Sequence, residues 1–233
     1  MRLAIISDIH SNLEALTTAL DLIDASNIDQ TVCLGDVVGY GANPSECLAI
    51  VRERCNVVIA GNHDRAAADV SEAENFTTSA RIAVQWTNGM LSAEEKIYLQ
   101  SLPYTAELDN ILFVHGSPHE PEEFHYILSI FDAINAMKYV TQNICFIGHS
   151  HVPDIFSEHG RVTAIKSGEK YLINVGSIGQ PRDGNPMLSF GILDTDGWKY
   201  ENVRKFYDVE TAAKKIIAAG LPHKLGTRLM TGT

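Results

Sequence analysis

The sequence predicts an α/β fold of two sheets with helices outside both. Three observations carry that prediction. Short apolar runs alternate with segments of helical period through the first half, the pattern of a mostly parallel sheet with crossover helices. Beyond Ile155 the pattern changes to short strand-like stretches separated by turn signals, which reads as an antiparallel section. No linker, repeat or low-complexity stretch divides the chain, so one connected domain over residues 1–233 is expected.

Residues 3–6 are a short apolar run and read as a buried strand. Leu13, Leu16, Leu20 and Ile23 then recur at helical spacing, so a core-facing helix follows, capped by Ser11 or Asn12. Residues 31–34 are a second buried strand. Asn43 caps the next helix, with Pro44 in its first turn and Glu46 near its positive end. Residues 56–60 are a third strand. The middle is helical over 79–90, where Trp86 packs from its helix. A second helix follows, in which Ser92 and Glu95 have capping-box spacing, and it stops before Pro103. Residues 111–114 and 144–147 are further buried strands. Short strands centre on Val162, Leu172, Phe190 and Tyr200. Asp194 and Asp196 belong to a hairpin turn at Asp196-Gly197 rather than to a metal site. A last helix starts near Asp208 and ends at Gly220, with Pro222 just beyond.

The chain has 18 Lys and Arg against 29 Asp and Glu, a net charge of −11 over 233 residues. That balance argues against a nucleic-acid polymer or an anionic membrane as partner, since both need a basic surface. It does not exclude one small phosphorylated ligand, because a bound metal inverts the local field. Cys33, Cys47, Cys55 and Cys145 form no CxxC pair and read as reduced thiols of a cytoplasmic protein. No apolar run approaches the ~18 residues of a membrane span. The N-terminus enters a strand pattern at once and reads as mature and not secreted.

The chemistry follows the strands. Asp8 and His10 follow the first strand, and Asp36 the second. Asn62, His63 and Asp64 follow the third, His115 the next, and His149 and His151 the one after. In open α/β sheets the carboxyl ends of strands form the ligand crevice. Any one cluster reads as an ordinary turn or cap; the joint pattern is the signal. Carboxylate, imidazole and amide oxygen suit divalent ions such as Mn²⁺, Fe²⁺ or Zn²⁺, and the lack of thiolates argues against a closed structural zinc site. Asp8, His10, Asp36, Asn62, His115, His149 and His151 are too many for one tetrahedral ion. They suffice for two if a carboxylate bridges. Two divalent ions against two carboxylates leave about +2 charge, so phosphate is a natural substrate group.

These residues resemble the calcineurin-like metallophosphoesterases. The resemblance rests on Ser7-Asp8-Ile9-His10, Gly35-Asp36, Gly61-Asn62-His63-Asp64, Val114-His115-Gly116 and Gly148-His149-Ser150-His151, all in family order. Within the family, the stretches 35–41 and 174–182 are similar to a small prokaryotic branch of phosphodiesterases and diadenosine-tetraphosphatase-related proteins. The resemblance implies a four-layer α/β/β/α sandwich with two mixed sheets, the metallo-dependent phosphatase fold. It implies that Asp8, His10, Asp36 and His151 hold one metal and that Asp36, Asn62, His115 and His149 hold a second. The ions are Mn, Fe, Zn or Ni. His63 is then the general acid or phosphate donor, Asp64 orients it, and Asn62 also meets substrate.

The implied reaction is hydrolysis of a small phosphodiester or dinucleoside polyphosphate, by in-line attack of a hydroxide held between the metals. Two alternatives share the fold. A protein Ser/Thr phosphatase usually has more Arg residues and a longer chain. A non-catalytic metal-binding scaffold tends to lose the Asn-His-Asp block, which is intact here. Arg182, and less so Arg65 and Asn12, are candidates to touch phosphate, with loop hydrogen bonding as the other reading. The acidic loop carrying His119 and His125 either covers substrate or is simply solvated. His159 and His223 read as surface residues.

Overall fold

The computed structural model describes residues 1–233. In chain order the elements are β1 (Arg2–Ile6), α1 (Leu13–Asp24), β2 (Gln30–Cys33), α2 (Pro44–Arg54), β3 (Val57–Val58), α3 (Asn62–Ala68), α4 (Thr78–Met90) and α5 (Ala93–Ser101). There follow β4 (Thr105–Leu108), β5 (Ile111–Val114), α6 (Ile130–Met137), β6 (Ile144–Ile147), β7 (Asp154–Ser157), β8 (Gly160–Arg161) and β9 (Tyr171–Asn174). The last are β10 (Leu188–Asp194), β11 (Lys199–Lys205), α7 (Val209–Ala218) and α8 (His223–Thr227). One sheet has the order β11-β10-β1-β2-β3 and the other β4-β5-β6-β9-β7-β8. Both are mixed. β1, β2 and β3 run parallel, and so do β5, β6 and β9, while the outer strands are antiparallel.

The period-two alternation of each strand builds the layers. Leu3, Ile5, Val32 and Leu34 face the second sheet and meet Phe113, Phe146, Tyr171 and Ile173. The residues between them, Ala4, Ile6 and Cys33, face outward against Leu16, Leu20, Leu48 and Val51 of α1 and α2. On the far side Val114, Cys145, Ile147 and Leu172 meet Ala133, Ala136 and Met137 of α6. The result is helix, sheet, sheet, helix. Phe113 and Phe146 stack between the sheets with ring centroids 5.9 Å apart. Full burial of such a side chain contributes about 1.5–3 kcal/mol. No helix is long and apolar enough to cross a membrane.

Local chemistry explains most boundaries. Asn12, not Ser11, caps α1: its Oδ1 accepts from Ala15 N at 3.1 Å. The Ser92/Glu95 capping box opens α5 as the spacing predicts. Asp194 Oδ1 accepts from the N–H groups of Asp196 and Gly197, closing the β10–β11 hairpin. Trp86 packs beside the α4, α7 and α8 contacts.

Four expectations are corrected. The third strand is only Val57–Val58, although Asn56 N still donates to Thr31 O at 2.8 Å and Ile59 N to Cys33 O at 3.0 Å. The Asn-His-Asp run, which taken alone reads as a turn or cap, is the first turn of α3. The late strands do not form one antiparallel section: β9 lies parallel to β6, and β10 and β11 return to the first sheet. Val162 falls just outside β8. The sequence reading also missed β4, β7, α6 and the short α8.

Candidate metal centre

Every candidate ligand follows a strand running toward the same edge of the sandwich. The backbone at that edge is unusual. Asp8, His10, Asp36, His149 and His151 all have left-handed φ, between 50° and 64°. Each such non-glycine residue costs on the order of 1–3 kcal/mol, and such strain gathers at functional sites. Backbone hydrogen bonds between the loops hold it in place: Asp8 N donates to Gly35 O at 3.1 Å and His10 N to Asp36 O at 2.9 Å. The sharp turns send residues i and i+2 into one centre. Two glycines make the approach possible. A Cβ on Gly148 would overlap Ser7 Oγ and the Asp8 carboxylate, and one on Gly61 would overlap the Asp36 carboxylate.

The side chains converge on Asp36. Its Oδ2 lies 3.5 Å from His10 Nε2 and 3.4 Å from His115 Nε2. His151 Nε2 is 3.1 Å from Asp8 Oδ1 and 3.1 Å from His10 Nε2. His149 Nδ1 is 3.2 Å from His115 Nε2. Ligands on a tetrahedral ion at 2.0–2.1 Å stand about 3.4 Å apart, so these are the separations of ligands around ions. Two groups share Asp36: Asp8, His10, Asp36 and His151 on one side, and Asp36, His115 and His149 on the other.

The outer hydrogen bonds support the same reading. His10 Nδ1 lies 3.2 Å from Val38 O, His115 Nδ1 2.8 Å from Leu34 O and His151 Nδ1 2.5 Å from Gln180 O. Only a protonated Nδ1 can donate to a carbonyl, so each Nε2 faces inward and presents a lone pair whenever its imidazole is neutral, the tautomer that a metal needs. Asp8 Oδ1 and Asn62 Oδ1 are buried without a hydrogen-bond partner. Buried acceptors are rarely left so. Orphaned oxygens and facing lone pairs are what divalent cations would satisfy, and the donor set fits them.

The electrostatics follow from burial and neighbours. Burial alone would raise the carboxyls of Asp8 and Asp36. The imidazoles beside them outweigh it and hold both well below the usual carboxylate range. Burial holds His10 and His151 low, pushes His63 down to about 4 and, with charged His115 beside it, His149 down to about 3. His115 is the exception. Burial would lower it, but Asp36 against its Nε2 raises it to about 9. At neutral pH the metal-free centre therefore carries one imidazolium, which must lose its proton to ligate. Below pH 9 metal affinity is expected to rise about tenfold per pH unit, and loading at pH 7 to release about one proton. Calorimetry in buffers of different ionisation heat measures that release; a value of zero would contradict it.

The structure brings together six of the seven predicted ligands, and Asn62 and His63 line the cleft beside them. The His63 ring packs among Tyr40 (4.3 Å between centroids), Phe76 (4.8 Å) and His10 (4.9 Å). Its Nδ1 has no partner, and its backbone N–H donates to Asp36 Oδ1 at 2.8 Å. The expected contact of Asp64 with His63 is corrected. The Asp64 carboxylate accepts from Gly61 N and Val38 N, both at 3.1 Å. Adjacent residues on a helix turn away from each other, so Asp64 secures the two loops instead. Burial raises its carboxyl to about 7.

Arg182 reaches the site: its Nη2 donates to Gln180 Oε1 at 3.0 Å and sits 3.5 Å from Tyr40 Oη. Arg65 is occupied elsewhere, on Glu72 and Gln100 O. Asn12 is fully used by its cap and by donation to Gly179 O at 2.8 Å and Tyr207 Oη at 3.2 Å. Asn12→Ala is therefore expected to destabilise the fold by about 2 kcal/mol, measured by urea unfolding. An unchanged midpoint would return Asn12 to the list of substrate contacts.

Sequence reasoning missed Tyr40, Phe76 and Tyr126. With Asn62, His63 and His149 they line an open cleft of about 630 Å³ beside the ligands. Tyr126 stacks on His149 with centroids 3.8 Å apart. Nothing in periodicity marks these aromatics, because they come from three separate loops.

Comparison with known proteins agrees with this geometry. The description "Calcineurin-like phosphoesterase superfamily domain" matches residues 1–197. The uncharacterized protein MJ0912 of Methanocaldococcus jannaschii is 38% identical, covering 99% of this chain and 98% of its own. The phosphodiesterase YfcE of Escherichia coli is 28% identical over 84% of this chain and 89% of its own. The crystal structure of a metallophosphoesterase from Sphaerobacter thermophilus superposes with a TM-score of 0.89 and 36% identity, covering 100% of this chain and 99% of that one.

Proposed function

The chain belongs to the calcineurin-like phosphoesterase superfamily, and from that premise we propose that it is a dinuclear metal-dependent hydrolase of a small phosphodiester or dinucleoside polyphosphate. The observation that supports this most is the convergence of two ligand groups on Asp36 beside an open cleft. Asp8, His10, Asp36 and His151 would hold one ion, and Asp36, Asn62, His115 and His149 the other. When bound, the ions supply Lewis acidity toward phosphoryl oxygens and make hydroxide available near neutral pH.

The chain's own groups do the rest. The carbonyls of Val38, Leu34 and Gln180 fix three imidazoles with Nε2 inward. His63 borders the cleft as a neutral imidazole, able to donate its one N–H to a phosphoryl oxygen. A bound anion beside it raises its proton affinity toward the range useful for protonating a leaving oxygen. Arg182 has no carboxylate partner and stands near Tyr40 at the same cleft, placed to hold a phosphate oxygen. The relation to a phosphodiesterase favours a diester. Four free thiols, three of them buried, fit a reducing cytoplasm.

The test is to assay metal-free protein reloaded with Mn²⁺ against p-nitrophenyl phosphate, its bis ester and diadenosine tetraphosphate. Faster turnover of the bis ester supports a diesterase, and preference for the tetraphosphate supports a nucleotide hydrolase. Silence on all three with two ions bound would favour a non-catalytic scaffold. Silence with none bound would remove the ligand assignment.

A further inference from the structure

One group of ligating side chains lies outside the buried centre. The loop after β5 carries His119, Glu120 and His125. His119 Nδ1 is 3.6 Å from Glu120 Oε2, and His125 Nε2 is 3.2 Å from the same oxygen. All three donor atoms lie within 4.8 Å of one another. The two measured separations bracket the roughly 3.4 Å edge of a tetrahedral zinc site. Two imidazole nitrogens thus aim at one carboxylate oxygen, and no Lys or Arg pairs with Glu120.

The neighbourhood favours a cation. Glu122 and Glu123, both exposed, follow in the same loop and add negative charge. The His119 ring is seated against Tyr139, with centroids 4.2 Å apart, and stacks near-parallel with His125 at 6.1 Å. Left-handed residues at Glu120 and Phe124 fold the loop back so that its two histidines meet. The side chains are about half exposed, so an ion can enter and water can complete its shell.

We propose that His119, Glu120 and His125 form a third cation site, distinct from the buried pair. Two imidazoles with one carboxylate select zinc or a similar borderline divalent ion over Mg²⁺ or Ca²⁺, which prefer oxygen-only shells. The site stands on the lip of the cleft: His125 lines it, and the next residue, Tyr126, covers His149. A bound ion therefore ties down the loop that carries the aromatic wall of the cleft and adds positive charge at its acidic mouth.

Zinc alone is the probe. Equilibrium dialysis at micromolar Zn²⁺ compares the intact protein, Glu120→Gln, the double variant His119→Ala/His125→Ala, and Asp36→Asn. The expected result is one equivalent fewer in the double variant than in the intact protein, and a weakened equivalent in Glu120→Gln. Asp36→Asn should keep the lip equivalent, so replacing the two histidines in that variant should remove one further equivalent. Equal stoichiometry in the intact protein and the double variant overturns the proposal, as does a third equivalent seen only at millimolar zinc. The buried centre is tested separately. A single equivalent in the intact protein that vanishes with the two histidines would support the lip site and sink the buried pair. Thermal melting of each variant checks its fold: His119, Glu120 and His125 are about half exposed, whereas Asp36 is buried.

Discussion

Asp36→Asn is expected to retain no more than one ion in the buried centre and to lose about 10³-fold or more in turnover. Asp36 is the only side chain common to both ligand groups. The amide keeps the shape and one acceptor oxygen but removes the charge that two ions would share. It also removes the partner that raises His115, so that imidazole should fall back toward the low range of its buried neighbours. The fold should survive, because the amide oxygen can still accept the His63 N–H where Asp36 Oδ1 does now. Metal analysis, turnover, an NMR titration of His115 and thermal melting check these four points in turn. A variant that binds two ions and turns over normally would show that Asp36 bridges nothing.

His63→Ala gives the second large effect and the more discriminating one. It should keep both ions and lose about 10²–10³-fold in kcat. Metal retention is expected because His63 touches Asp36 through its backbone N–H, which alanine preserves. The loss is expected because the imidazole is buried beside the cleft with Nδ1 unpartnered, a group that nothing in the fold requires for hydrogen bonding. A leaving group that needs no proton, such as p-nitrophenolate, should suffer less than an alkoxide. Loss of metal in this variant would make the role structural, and unchanged kcat on both leaving groups would remove it from the reaction.

Alternating apolar runs, a capping box at Ser92 and a turn at Asp196-Gly197 are local features, and each was legible in the chain as written. So was the set of ligands, since every one of them stands directly after an apolar run. The membership of β9 was not legible: a four-residue buried strand looks the same in a parallel or an antiparallel pair. Nor was the start of α3 at Asn62. Its N-cap is Gly61, which has no side chain to mark a helix start. The Asp64 carboxylate shows the limit most clearly. The family resemblance implied that Asp64 orients His63, yet its carboxylate accepts from Gly61 N and Val38 N instead.

The sequence by itself determined the layered α/β architecture, the seven candidate ligands and the family resemblance, because these rest on residue type and on spacing along one strand or helix. Only the tertiary structure decided which ligands share Asp36, which imidazole nitrogen faces inward, that Asn12 is structural while Arg182 reaches the site, and that Tyr40, Phe76 and Tyr126 wall the cleft. The physical reason is one of range. Helix and strand periods are set by neighbours a few residues apart, whereas the electrostatics of the centre depend on atoms of residues such as Asp8 and His151 that only the packing of two sheets brings within 3.1 Å.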